Sequence, residues 1–420
     1  MKFKKSPARV ALAPACVALM AVGVAGCGSS SDSGGSSASS GGGKGTLKIF
    51  MDYPADNQIA DFADMKPAAE AAVEAVNKAG GVKGQKLQLI VCNNKYDQGQ
   101  ALVCARNAIK EKAVALVGQS DGFTPQTIPL LESAGIPSIG NFATGLPEDY
   151  TSKYVYPLNG GSVQGYLGGP GVLKQLGLTS FASQPCEYPS CKQLTQFINK
   201  ATQGTGVTSK GAVTVPNTGV TDYSPYAQKT KALAPAAVVQ MLSPTPQSGL
   251  IKAGQSIGFK PTYMGNDQMV GEKSVASQGA TWQNYVLSGP FPSPRDQSNP
   301  AMKQYADERG AATNQTGQQW VDGAQLSESW ANSLNVWLAV HAFAKAAANV
   351  SGTIDAKSLQ SYLSTETNPI DLFGLVDWKP GAAGPSEFPR FNSMKNYAVS
   401  IIDNKIVTNT KVTPFDINAQ

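Results

Sequence analysis

Two short loops concentrate hydrogen-bonding side chains where a fold of alternating strands and helices would expose them. Gln119-Ser120-Asp121-Gly122-Phe123-Thr124 follows the apolar run 114–118 and leads into a helical pattern that begins at Thr124-Pro125. Its hydroxyls and main-chain amides suit a carboxylate, because a helix N-terminus offers unpaired N–H groups and a partial positive charge. Asn141-Phe142-Ala143-Thr144 follows the next strand and offers a second hydroxyl. Helix capping accounts equally well for Ser120, Thr124 or Thr144 taken singly. Their convergence at the carboxyl ends of neighbouring strands is what points to a ligand. Asp121 stands among these donors, and if it faces the crevice it disfavours an anionic group there.

Catalysis finds little to work with. The single histidine, His341, sits in an amphipathic, Trp-containing helical stretch and reads as structural. There is no HExxH or GxxxxGK[ST] segment, and Asp61 and Asp64 fall at a helix-like spacing that reads as a solvated face. No enzyme, cofactor or metal site is expected. Of six cysteines, Cys16 and Cys27 lie in or beside an N-terminal leader, which leaves Cys92, Cys104, Cys186 and Cys191. In an exported chain four thiols read as two disulfides, and of three possible pairings proximity favours Cys92 with Cys104 and Cys186 with Cys191. Neither spacing is of the CxxC type that would support a metal site or redox pair.

The leader itself is informative. Lys2, Lys4, Lys5 and Arg9 precede an apolar run, 10–24, followed by Ala25-Gly26-Cys27 and a Gly/Ser tract. That run is short for a hydrocarbon core of about 30 Å and ends in small residues, so 1–26 reads as an export signal with Cys27 first in the mature chain. A cysteine at that point resembles a lipobox, whose diacylated sulfur forms a lasting anchor; the alternative is a secreted protein with a chance cysteine. Residues 27–45 then form a tether spanning on the order of 23 Å. Removing the four basic residues of the leader from the 34 Lys and Arg leaves 30 against 29 acidic residues, so the formal +5 disappears. A near-neutral body argues against nucleic acid, and no further apolar stretch is long enough to span a membrane.

The remaining residues, about 375, suit two lobes better than one core. From Thr46 apolar runs alternate with helical patterns, as in parallel sheets covered by helices. Strands are expected near 47–50, 87–91, 114–118 and 136–139, then near 178–182, 211–215, 236–241, 262–264 and 285–287, and late ones at 373–378, 396–402 and 406–412. A long helix is expected over 321–350. Gly168-Gly169-Pro170-Gly171 sits where a helix belongs but has poor local propensity.

AAVEAVNKAGGVKGQKLQLIV from Ala71, VALVGQSDG followed by TIPLLESAGIPSIG, MGNDQMV from Met264 and FGLVDWKPG from Phe373 occur in an order that resembles the branched-chain amino-acid binding proteins, the type I solute-binding receptors of ABC importers. The resemblance covers 46–415. It implies an α/β fold of two Rossmann-like lobes with parallel sheets joined by three crossover strands, near 156–159, 289–291 and 372–377. The lobes would be 46–157 plus 291–372 and 158–290 plus 373–420. It also implies a ligand-binding hydroxyl at Thr144, a tyrosine packing on the ligand at Tyr188, held by a Cys186–Cys191 loop, and an acid for the ligand ammonium at Asp267, although a strand-end Asp is otherwise a common helix cap. With Ser120, Gly122, Phe123, Thr124, Ala143 and Ser243 these residues make up the expected ligand site. Near Gln240, Ser243 and Pro244 the chain lacks an aromatic residue that the family carries.

The resulting expectation is a lipid-anchored, monomeric receptor on the outer face of the cytoplasmic membrane. It would capture a small polar solute, with branched-chain or other amino acids foremost, and deliver it to an ABC permease and its ATPase subunits. Amides, urea-like solutes and aromatic carboxylates remain alternatives, as does a sensor built on the same clamshell.

Overall fold

The computed structural model describes residues 45–57, 60–268 and 270–419. The leader 1–26, Cys27 and the tether up to residue 44 therefore lie outside the described residues. Among those described, no helix is long and apolar enough to cross a membrane.

The first sheet holds β1 (Leu47–Tyr53), β2 (Leu87–Asn93), β3 (Ala115–Val117), β4 (Ser138–Ile139) and β5 (Val155–Tyr156), all parallel, in the order β2-β1-β3-β4-β5. Successive side chains leave a strand on opposite faces. Ile49, Met51 and Val117 accordingly enter a core with the helices Met65–Lys78 and Trp330–Asn349, while Phe50 and Leu116 pack with Cys104 and Ile128. Burial on both faces explains why these strands read as continuous apolar runs.

The second sheet is built from β6 (Ser180–Pro185), β7 (Thr208–Ala212), β8 (Ala237–Met241), β9 (Thr262–Asn266) and β10 (Val286–Gly289). A separate antiparallel hairpin, β11 (Ile370–Leu372) and β12 (Val376–Trp378), comes next. The chain then returns with β13 (Lys395–Ile402), β14 (Lys405–Thr408) and β15 (Phe415–Asp416). The order is β14-β13-β10-β9-β8-β6-β7, with β13 antiparallel to β10 and β15 paired to β13. Of the expected crossings, 156–159 follows β5 and 289–291 follows β10. The third, 372–377, lies inside the hairpin, which packs on helix Trp330–Asn349, so the return to the second sheet runs through 379–394. The long helix expected over 321–350 is two, Gly317–Gly323 and Trp330–Asn349.

The glycine-rich segment that resists a helical reading is a helix, Gly161–Gln175, with Pro170 inside it. A Cβ on Gly165 would lie 2.5 Å from the Ser288 carbonyl oxygen, and one on Gly168 would lie 2.4 Å from the Asn396 side chain. The helix presses so closely on β10 and β13 that only hydrogen fits, and this packing outweighs a propensity cost of about 1 kcal/mol per glycine.

Near the second crossing, the buried Glu272 accepts hydrogen bonds from Arg295 Nε at 2.7 Å and Nη2 at 2.6 Å, and from the main-chain N–H groups of Leu326 and Ile406. Arg295 also donates to the carbonyls of Val321 and Ala324. One ion pair thus joins the segment after β9, the segment after β10, β14 and the approach to helix Trp330–Asn349. Asp64, expected on a solvated face, instead pairs with the buried Arg309 at 2.8 Å. His341 holds a structural place beside Trp337, its Nε2 2.9 Å from Glu308. Both disulfides form as proximity favoured, Cys92–Cys104 and Cys186–Cys191.

Candidate functional site

In an open parallel sheet, the loops on either side of a point where strand order reverses leave a crevice at the carboxyl edge. The first sheet reverses between β1 and β3, the second between β6 and β8. A cavity of about 140 Å³ lies between these two points. Its wall takes Phe62 from the loop after β1 and Ser120 and Gly122 from the loop after β3. From the second sheet it takes Tyr188 after β6 and Ser243 after β8.

Of the nine expected ligand-site residues, Ser120, Gly122, Thr144, Tyr188 and Ser243 line this cavity; Phe123, Thr124, Ala143 and Asp267 do not. Phe123 stands behind the wall, with its ring 5.5 Å from that of Tyr96. Ala143 is fully buried in the core of the second sheet. Thr124 is the first residue of helix Thr124–Ser133 rather than its cap, and its buried hydroxyl lies beside Asp149 without a hydrogen bond of good geometry. Capping therefore accounts for none of the hydroxyls: Phe123 occupies the N-cap position of that helix, and the Ser243 side chain makes no capping bond to helix Pro244–Ser256.

Thr144 is held by Asp149, whose Oδ2 accepts the Thr144 N–H at 2.8 Å, its hydroxyl at 3.3 Å, and the N–H groups of Gly145 and Leu146. Burial pushes the Asp149 carboxyl up to about 6 against these hydrogen bonds. Asp121 turns away from the cavity: its carboxylate accepts from Gln119 Nε2 and Thr127 Oγ1 at 2.7 Å each and from the Phe123 N–H at 2.8 Å. Burial raises its pKa, and that of Asp52 beside it, which the Asp121 charge raises further.

Asp267 departs most from expectation. It is buried at the end of β9, neither carboxylate oxygen has a hydrogen-bond partner, and a Cβ on Gly289 would lie 2.1 Å from its Cγ. The carboxyl thus lies against the backbone of β10, and burial raises its pKa well above the usual carboxylate range. The neighbouring Gln268 takes the place in the wall. Gln268 Oε1 accepts the Ser162 hydroxyl, and its Nε2 donates to Asn332 Oδ1 at 3.4 Å; Asn332 Nδ2 in turn donates to Ser120 Oγ at 3.1 Å. This chain of uncharged groups joins the loop after β3 to the loop after β9 through helix Trp330–Asn349.

A family profile described as "Periplasmic binding protein" matches residues 57–383. The chain belongs to the periplasmic binding protein family. The fold is the type I periplasmic-binding-protein arrangement, shared with solved structures of similar topology. The extracellular ligand-binding receptor from Verminephrobacter eiseniae superposes with a TM-score of 0.71 at 17% identity, covering 86% of this chain and 99% of that one. A possible leucine/isoleucine/valine-binding protein from Rhodopirellula baltica gives 0.70 at 17% identity, covering 87% and 96%. An R. palustris ABC-transporter solute-binding protein in complex with benzoate gives 0.66 at 14% identity, covering 88% and 98%. A curated relative, the leucine-, isoleucine-, valine-, threonine-, and alanine-binding protein of Pseudomonas aeruginosa, is 32% identical over 112 residues, 26% of this chain and 30% of its own length. The chain thus matches less than a third of that relative. Family members are extracytoplasmic solute-binding receptors of the ABC-transporter class.

For this periplasmic binding protein, sequence reasoning missed Tyr96, Ser162, Asn217 and Gln268. Gln268 is adjacent to the residue that was singled out, and on a strand end one position exchanges the two faces. Tyr96 follows β2 with a positive φ of 52°, a backbone state unusual for an aromatic residue that only the folded loop makes visible.

Proposed function

We propose that this chain is the lipid-anchored, monomeric receptor of an ABC importer. A small polar solute enters between the two lobes, the lobes close, and the loaded form delivers it to a permease powered by ATPase subunits. The observation that carries this reading is the cavity's wall, drawn from switch-point loops of both sheets. A solute there contacts both halves at once, contacts that exist only in the closed form and so shift the equilibrium toward it. In this reading 46–157 plus 291–378 and 158–290 plus 379–420 are the moving bodies, the boundary expected at 372 shifting because the hairpin 370–378 packs on helix Trp330–Asn349. Cys27 would hold the whole at the outer face of the cytoplasmic membrane.

Amino acids enter the screen first, on the curated relative's name and the presence of Ser120 and Thr144 in the wall. The orientation of Asp267 leaves such a ligand's ammonium without its acid. The test of the receptor reading is a thermal-unfolding screen against small solutes, paired with small-angle scattering. A true ligand at about 100 times its dissociation constant adds roughly 2.7 kcal/mol of stability and should compact the protein. Stabilisation by none of them, with an unchanged radius of gyration, would refute the reading.

A further inference from the structure

Resting on the receptor reading, we propose that the solute is uncharged: it carries neither ammonium nor carboxylate, and hydroxyls and carboxamides hold it against an aromatic wall. Among the described residues, no Asp, Glu, Lys, Arg or His lines the cavity. Four acids come near it, and each is withdrawn. Asp121 is taken up by Gln119, Phe123 and Thr127, and Asp149 by Thr144, Gly145 and Leu146. Asp52 accepts from Asn94 Nδ2 at 2.8 Å, and Asp267 lies against Gly289. A charge that leaves water for an enclosed site needs a counter-charge or a full set of hydrogen bonds. An ammonium would need an acid, and the wall supplies none; a carboxylate would need a cation or free amide donors, and the N–H groups of Phe123, Thr144, Gly145 and Leu146 are already given to Asp121 and Asp149.

What the wall does supply is uncharged and works in both senses. Ser120, Gln268 and Ser162 line the cavity and are joined through the buried Asn332 into the continuous chain described above, and a hydroxyl or carboxamide can each donate and accept. Asn217 adds a further carboxamide, its Oδ1 already accepting the Ser243 N–H at 2.8 Å. Tyr96 from the first sheet and Tyr188 from the second are 37% and 40% exposed, rare for large apolar groups among the described residues, and both border the cavity. Two rings, one from each half, suit the flat or apolar body of a solute whose polar head meets the carboxamides.

The test uses the full chain and titration calorimetry on compounds sorted by charge at pH 7, anchored by matched sets: leucine, 4-methylpentanoate and 4-methylpentanamide, and benzoate with benzamide. Uncharged compounds should bind, each at least tenfold tighter than its charged counterparts. A charged compound that binds as tightly as its neutral analogue, or tighter, overturns the proposal and leaves the receptor reading standing. Silence from neutral and charged compounds alike overturns both. Two substitutions cross-check the result. Gln268→Glu should weaken the neutral ligand about tenfold, whereas Asp267→Asn should change affinity by less than twofold. A tenfold loss in Asp267→Asn with its melting temperature retained would restore that acid to the ligand and reject the proposal.

Discussion

At the scale of single residues, Asp149 governs a loop that reaches the cavity. Its folded pKa of about 6 exceeds the ordinary 3.8, so the folded state binds more protons than the unfolded chain between those values. Stability therefore falls as pH rises from about 4 to 6 and levels off above, because deprotonation leaves a charge buried. Urea denaturation from pH 4 to 8 should show this decline as the difference between the wild type and Asp149→Asn, with the variant flatter. A variant curve parallel to the wild type would remove Asp149 from the account. Asn332 is the second residue of consequence. Asn332→Leu strands the groups of Ser120 and Gln268 that it joins, so unfolding should be easier by about 1–3 kcal/mol. Ser120 and Thr144 were legible as cavity residues because loops at strand ends are the natural crevice of such a sheet, and Tyr188 and Ser243 through the family resemblance. Asp267 was not, since the face a strand-end side chain takes depends on the packing of β9 against β10.

At the scale of elements, the alternation of apolar runs and amphipathic helices was legible almost throughout, because sheets buried on both faces need continuous apolar strands. Helix Gly161–Gln175 was not, because its glycines answer to the approach of β10 and β13, which local propensity does not register. Gly168→Ala should accordingly destabilise by about 1–3 kcal/mol, against the helix-favouring sign expected at an exposed site, and thermal unfolding decides between the two. The break between helices Gly317–Gly323 and Trp330–Asn349 was hidden for a related reason: Val321 and Ala324 give their carbonyls to Arg295. Arg295→Ala would leave the buried Glu272 with two main-chain N–H donors and only the more distant Lys405, at 3.6 Å, as a cation, so a loss of about 1–3 kcal/mol is expected in chemical denaturation. A loss under 1 kcal/mol would mean that the clip is not needed.

For the whole molecule, the order of the family blocks carried the type I fold, while the position of the last crossing and the charge of the ligand depend on contacts between distant segments. If Cys27 carries the anchor, Cys27→Ser should move the protein from the membrane fraction to the soluble extracytoplasmic one, as read by fractionation and immunoblot; retention at the membrane would refute lipidation there. The glycine face of helix Gly161–Gln175 has one more consequence, for where this receptor can change. Those positions already hold the smallest residue, so substitution there can only enlarge and only displace the sheet. The rim loops that carry Tyr96, Tyr188 and Asn217 meet no such limit. A saturation library should therefore be nearly blank along one side of that helix and permissive around the rim, and new ligand preferences would have to arise by changing the mouth of the cleft while its back wall stays as it is.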